Sequence, residues 1–228
     1  MTSHAGSLLD GGIDDYYLQN KKDCMARHGA SIWGNRRPDL VPQAAKILGL
    51  ESSENIVDLA MQIKEDIAIL HQASLVNICF CFPSSWVPAL RLGQSLTEIH
   101  RPVADGEALQ RHSLRIAEIM AQQGNFRRWV WTISTTDQLS NHPDQPRPPV
   151  TASTGIDDLW LRTERQTTFP LGDGESSGFL VLVETHPLQI IWQDSDQKTA
   201  MINSLNSMTD AVLDYKNLRD IKNLLNSL

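Results

Sequence analysis

Leu75 to Phe82 (LVNICFCF) constrains the fold more than any other stretch: it is apolar, rich in β-formers, and stopped by Pro83. Such a run reads as a buried strand, and a buried strand needs a sheet with cover around it. Three further segments have strand character, namely Arg128 to Thr135, Leu159 to Phe169 and Gly178 to Glu184 (GFLVLVE). Helical patterns surround them. Ile13 to Arg27 reads as a helix opened by Asp14 or Asp15 and stopped near Gly29. Pro42 opens a short helix through Leu48. Ser52-Ser53-Glu54 opens a stronger one, since Ile56, Leu59, Ala60, Ile63, Ile67 and Leu70 recur at three- and four-residue spacing. Gly93 to Val103 reads as irregular, with Pro102 blocking a continuous helix. Asp105 is placed to cap a helix from Gly106 to about Gln123. Asn141 to Pro149 holds four prolines in nine residues and reads as an extended surface loop. Ser195 to Leu228 is again helical. Strands joined by short loops, with helices before and after, predict an α+β fold with an antiparallel sheet carrying helices on one face or end.

Composition bears on what such a domain can do. The chain has 228 residues, 41% of them hydrophobic, enough for one large domain. Residues 1–12 read as a flexible polar lead without the basic and apolar regions of a secretory signal, leaving 13–228 as the domain. A net charge of −7 argues against a nucleic-acid partner, and Arg127-Arg128 beside Trp129 and Trp131 is too short for a phosphate-binding patch. No apolar run reaches the ~20 residues that span a bilayer. The three cysteines, Cys24, Cys79 and Cys81, form no disulfide or zinc pattern and fit a reducing compartment, so a cytoplasmic location is expected. Phosphate loops, dinucleotide fingerprints, HExxH and GxSxG are missing from the sequence.

Two segments carry chemistry. The first runs from Phe82-Pro83-Ser84-Ser85-Trp86 to Leu90–Val103 (LRLGQSLTEIHRPV), where a proline-stiffened loop delivers His100 among apolar neighbours. An imidazole presented in this way suits an axial haem or metal ligand, or else a core histidine satisfied by a carbonyl. His112, expected on the inner face of its helix, is the second choice. The other segment is Leu161-Arg162-Thr163-Glu164-Arg165-Gln166-Thr167, where alternation puts Arg162, Glu164 and Gln166 on one face and Arg165 on the other. These arginines could grip a carboxylate such as a haem propionate, or form a structural cross-strand network.

With their flanks, these segments resemble the α-subunit family of haem-dependent oxidative N-demethylases (dimethylamine monooxygenases). The matching stretches are IKEDIAIL (63–70), CFPSSW (81–86), LGQSLTEIHRPV (92–103), LRTERQTT (161–168), HPL (186–188) and DYK (214–216), in family order. The resemblance implies a PAS-like sheet extended by N- and C-terminal helices and holding haem b. It further implies oxygen activation at the haem iron, loss of a methyl group from a small secondary or related methylamine, and a partner reductase carrying FMN and an iron–sulfur cluster fed by NADPH. Carried over by position, His100 would be the axial ligand, Arg162 or Arg165 would hold a propionate, Trp86 would line the cofactor, and Glu164 would orient an arginine or attract the ammonium. Homo-oligomers are compatible with all of this. A non-catalytic haem sensor is the alternative reading, and a haem-free interaction domain a third. The likeness departs at Val130, where family members carry Asn before the tryptophan, and at Thr185–Leu188, which lacks a Tyr.

Overall fold

The computed structural model describes residues 2–3 and 5–228. Chain order begins with β1 (Thr2–Ser3), α1 (Asp15–His28), β2 (Trp33–Asn35), α2 (Val41–Leu48) and α3 (Ile56–Ala60). There follow β3 (Asp66–His71), β4 (Ser74–Cys79), α4 (Leu96–Ile99), α5 (Glu107–Gln122), β5 (Phe126–Ser134), β6 (Trp160–Pro170) and β7 (Ser176–Pro187). Four helices end the chain: α6 (Leu188–Trp192), α7 (Ser195–Ser207), α8 (Asp210–Tyr215) and α9 (Arg219–Ser227). The strands form one antiparallel sheet in the order β1-β5-β6-β7-β3-β4-β2, so the α+β, antiparallel expectation holds. Among the described residues no helix is long and apolar enough to cross a membrane.

The expected helix from Ser52 to Leu70 is corrected. Only Ile56–Ala60 is helical, capped by the Asn55 side chain, and Asp66–His71 is the interior strand β3. Strand β3 is paired on both edges and buried over Asp66 to Leu70, so its apolar residues run on without alternation and mimic a helical period. A two-residue turn, Gln72-Ala73, joins it to β4 with φ of 47° and 62°. Both central residues of such a hairpin need positive φ, a role usually filled by Asn-Gly, and so the hairpin carries no recognisable signature.

Helices lie on both faces, not on one face or end. Ala117 and Met120 of α5 pack with Leu70, Leu96 and Phe179. Register puts Leu161 and Ile133 on the opposite face, where Leu188, Leu205, Leu213, Leu218, Ile221 and Leu225 cover them. Both faces are apolar, and both need cover. Helices α1 to α3 complete the largest core cluster with β3, β4 and β7.

Smaller expectations change as well. Gly106, not Asp105, is the N-cap of α5; Asp105 sits at φ 53° and accepts the Thr209 hydroxyl at 2.6 Å, tying α5 to α8. The loop from Asn141 is at the surface only from Pro143 onward, because Asn141 and His142 are buried. In the 1–12 lead, Thr2 and Ser3 pair with β5, and Asp10 meets Arg165 and Lys64.

Candidate functional site

The CFPSSW turn is held from three sides. Buried Asp66 accepts the backbone N–H groups of Cys81 (2.9 Å) and Phe82 (2.8 Å), fixing the exit from β4. Arg162, almost wholly buried, donates to the Phe82 carbonyl (2.8 Å), the Leu139 carbonyl (2.5 Å) and the Ser84 hydroxyl (3.3 Å). Asn141 exchanges backbone hydrogen bonds with Pro83 and Ser85, and Ser85 takes a left-handed φ of 66° to make this possible. Trp86 emerges half-buried, edge-on to Phe80 with centroids 5.5 Å apart.

From this turn a hydrogen-bonded line crosses the sheet. Ser84 donates to Glu164 Oε1 at 2.5 Å, Gln166 donates to Glu164 Oε2 at 2.9 Å, and Arg128 Nε donates to Gln166 Oε1 at 2.7 Å. Register explains the alignment: Arg128 lies opposite Gln166 and Val130 opposite Glu164, all on one face. Val130, the point of departure from the family pattern, therefore sits beside the site carboxylate. Among the described residues the terminal guanidinium nitrogens of Arg128 have no protein acceptor. Burial lowers its pKa and Glu164 opposes that shift. Lys216 follows α8 and donates to the Trp131 carbonyl at 2.7 Å; burial depresses its pKa and Glu164 opposes this too. The DYK stretch thus reaches the same edge.

His100 closes the face. Ser95 and Glu98 form a capping box that starts α4, and His100 is the C-cap of that single turn. Its Nδ1 lies 2.7 Å from the Leu96 carbonyl. A carbonyl only accepts, so Nδ1 carries the proton and Nε2 the lone pair. Among the described residues Nε2 has no hydrogen-bond partner. Burial lowers the His100 pKa, the Leu96 bond raises it, and Arg128 lowers it again. The result is a neutral imidazole with a free nitrogen on the face that carries Arg128 and Glu164.

His112, expected on the inner face of α5, is exposed; Ser113, Ala117 and Met120 occupy the buried positions, and His112 falls one residue off that stripe. Arg165 is on the far face, bonded to Asp10 (2.8 Å) and Glu65 (3.0 Å). Arg162 is occupied by the turn. Neither has a free guanidinium edge beside His100: Arg162 spends its donors on the turn and Leu139, and Arg165 its terminal nitrogens on Asp10 and Glu65. Arg128 holds the available edge. Sequence reading passed over it because its partner, Gln166, is 38 residues away and is identified only by strand register.

No individual curated protein matches the chain. A family model described as haem-dependent oxidative N-demethylase, alpha subunit-like, matches residues 21–225, which includes every stretch on which the resemblance rests. The chain belongs to the haem-dependent oxidative N-demethylase alpha subunit-like family.

Proposed function

We propose that this chain binds haem b through His100 and is the oxygen-activating subunit of an N-demethylase acting on a small secondary or related methylamine. One observation carries the reading: the His100 imidazole is oriented by the Leu96 carbonyl at 2.7 Å and has an uncommitted Nε2. Histidines that ligate iron or zinc commonly donate the other ring N–H to a carbonyl or carboxylate in this manner. The rest of the donor set fits the same group. Arg128 supplies a cation for a propionate, while half-buried Trp86 and Phe179 supply apolar faces.

When bound, the haem supplies oxygen activation and the oxidative removal of a methyl group as formaldehyde, with electrons from NADPH through a flavin and iron–sulfur reductase partner. The protein's own contribution is positional. Ser84 and Gln166 donate to both Glu164 oxygens, so the carboxylate is fixed and remains an acceptor for a substrate ammonium. Val130 beside it adds no competing polar group. The PAS-like description of the sheet and a cytoplasmic setting belong to the same reading.

The test is an absorption spectrum of the purified protein, with and without dithionite, for wild type and His100→Ala. A Soret band that is lost in the variant supports the assignment; a variant with full haem and an unchanged spectrum overturns it. Formaldehyde release from methylamines with reductase and NADPH supports the enzyme. Reversible carbon monoxide binding without release from any methylamine would overturn the catalytic part and indicate a sensor.

A further inference from the structure

The proline-rich loop holds a cluster the haem reading does not use. His142, at its buried start, stacks on His28 at the end of α1, with ring centroids 4.2 Å apart and planes 27° apart. Both Nδ1 atoms face one carboxylate: His142 is 2.6 Å from Asp144 Oδ1, and His28 is 3.1 Å from Asp144 Oδ2. Ser31 completes the group, 3.3 Å from His142 Nε2.

Counting protons shows what the cluster lacks. The Ser31 hydroxyl donates its only proton to the His28 carbonyl at 2.9 Å, so toward His142 Nε2 it can only accept. Nε2 therefore carries the hydrogen, and in a neutral ring Nδ1 carries the lone pair. The Asp144 N–H points at that same Nδ1 from 3.4 Å, as it would toward an acceptor. A lone pair 2.6 Å from a carboxylate oxygen is repulsive unless a cation lies between them. A proton on His142 Nδ1 relieves that repulsion while a neutral His28 donates its own Nδ1–H to Oδ2. A metal ion serves both rings and the carboxylate together.

We propose that His28, His142 and Asp144 form a two-histidine, one-carboxylate site for a divalent transition ion of the zinc type. One donor atom from each lies within 4.8 Å of the others. Two imidazoles select a borderline ion over magnesium or calcium, which prefer oxygen. The Ser31 hydroxyl, bridging His142 Nε2 to the His28 carbonyl, is the outer support that ligating histidines typically have. The observed N···O spacings of 2.6 and 3.1 Å are short of the ~3.3 Å ligand separation set by ~2.0–2.1 Å bonds in a tetrahedral site. Asp144 can yield that distance, since its side chain is 56% exposed, and the same exposure leaves the fourth position to water. The ion would fasten α1 to the segment whose Leu139 and Asn141 backbone clamps the CFPSSW turn. The cluster makes none of its contacts through His100 or Glu164, and its test is independent of haem.

The experiment uses the full-length protein, stripped with a chelator, and titrated with Zn²⁺ against a chromophoric competitor. Wild type, Asp144→Asn and His142→Gln are compared, each checked for folding by circular dichroism. Loss of an outer-shell partner alone weakens metal sites by 10–100-fold, so the expected result is one Zn²⁺ per chain in wild type, weakened by about 10-fold or more in either variant. The urea midpoint should rise with Zn²⁺ in wild type and not in Asp144→Asn, whose exposed side chain is a mild change. Equal binding by wild type and folded Asp144→Asn would overturn the proposal. So would a folded wild type that takes up no Zn²⁺, or one whose stability is indifferent to Zn²⁺.

Discussion

Lys21 lies wholly inside the protein, with Nζ 2.9 Å from the Ala60 carbonyl, 2.6 Å from the Glu65 carbonyl and 3.9 Å from Asp66. Lys21→Met keeps most of the volume and removes the charge. At 3.9 Å the pair is worth about 4 kcal/mol with an effective dielectric near 20. That agrees with the ~3–5 kcal/mol measured when one member of a buried ion pair is deleted. Burial already pushes the Asp66 carboxyl from its usual 3.8 up to about 6, with Lys21 and the Phe82 and Cys81 N–H groups pulling it back. Without Lys21 it rises further. A raised folded pKa means the folded state takes up the proton first, so this group's contribution to stability improves as pH falls through the window between about 6 and 4. The penalty of Lys21→Met relative to wild type should therefore be smallest near pH 5.5, where Asp66 of both proteins is largely protonated, and grow as pH rises above about 6. Urea denaturation at pH 8 and 5.5 measures both quantities. A loss below ~1 kcal/mol at pH 8, within the range of ordinary substitutions, would refute the argument, as would a loss independent of pH. Asp66→Asn in the same background should recover part of the stability, since it removes the orphaned charge.

Other consequences are as open to measurement. A Cβ at Gly178 would meet the Phe169 ring across the β6–β7 pair at 2.1–2.7 Å, so Gly178→Ala should cost about 1–3 kcal/mol or more in urea denaturation; Phe169→Leu should restore part of it, and an unchanged midpoint for the single variant would disprove the clash. Ser95→Ala breaks the capping box of α4, a local cost of about 1 kcal/mol. On the axial-ligand proposal it should speed haem transfer to an acceptor globin while leaving secondary structure intact, and an unaltered transfer rate counts against it. On the proposed demethylase activity, Glu164→Gln should raise the KM for a methylamine by about 10-fold or more with less effect on kcat, the size of a hydrogen bond to a charged group; a KM equal to wild type would remove Glu164 from substrate binding.

Local sequence determined the elements whose signals are local. Asp14 caps α1 by accepting from Tyr17 N–H, Pro83 follows the β4 run, and the three later strands fall close to their expected positions. The shared face of Arg162 and Glu164 was legible in LRTERQTT, because strand alternation puts them on one side whatever the fold. What the chain could not disclose locally depended on pairing between distant segments. Strand β3 hid inside a helical spacing because only its two neighbours reveal that both faces are buried. Arg162 became a buried clamp, and Arg128 the free cation, because register sets Thr132 opposite one and Gln166 opposite the other. His28 meets Asp144 across 116 positions, which no local pattern predicts. Propensity and capping act over a few residues, whereas a site is made of side chains brought together by long-range pairing, and that pairing is decided only when the whole sheet closes.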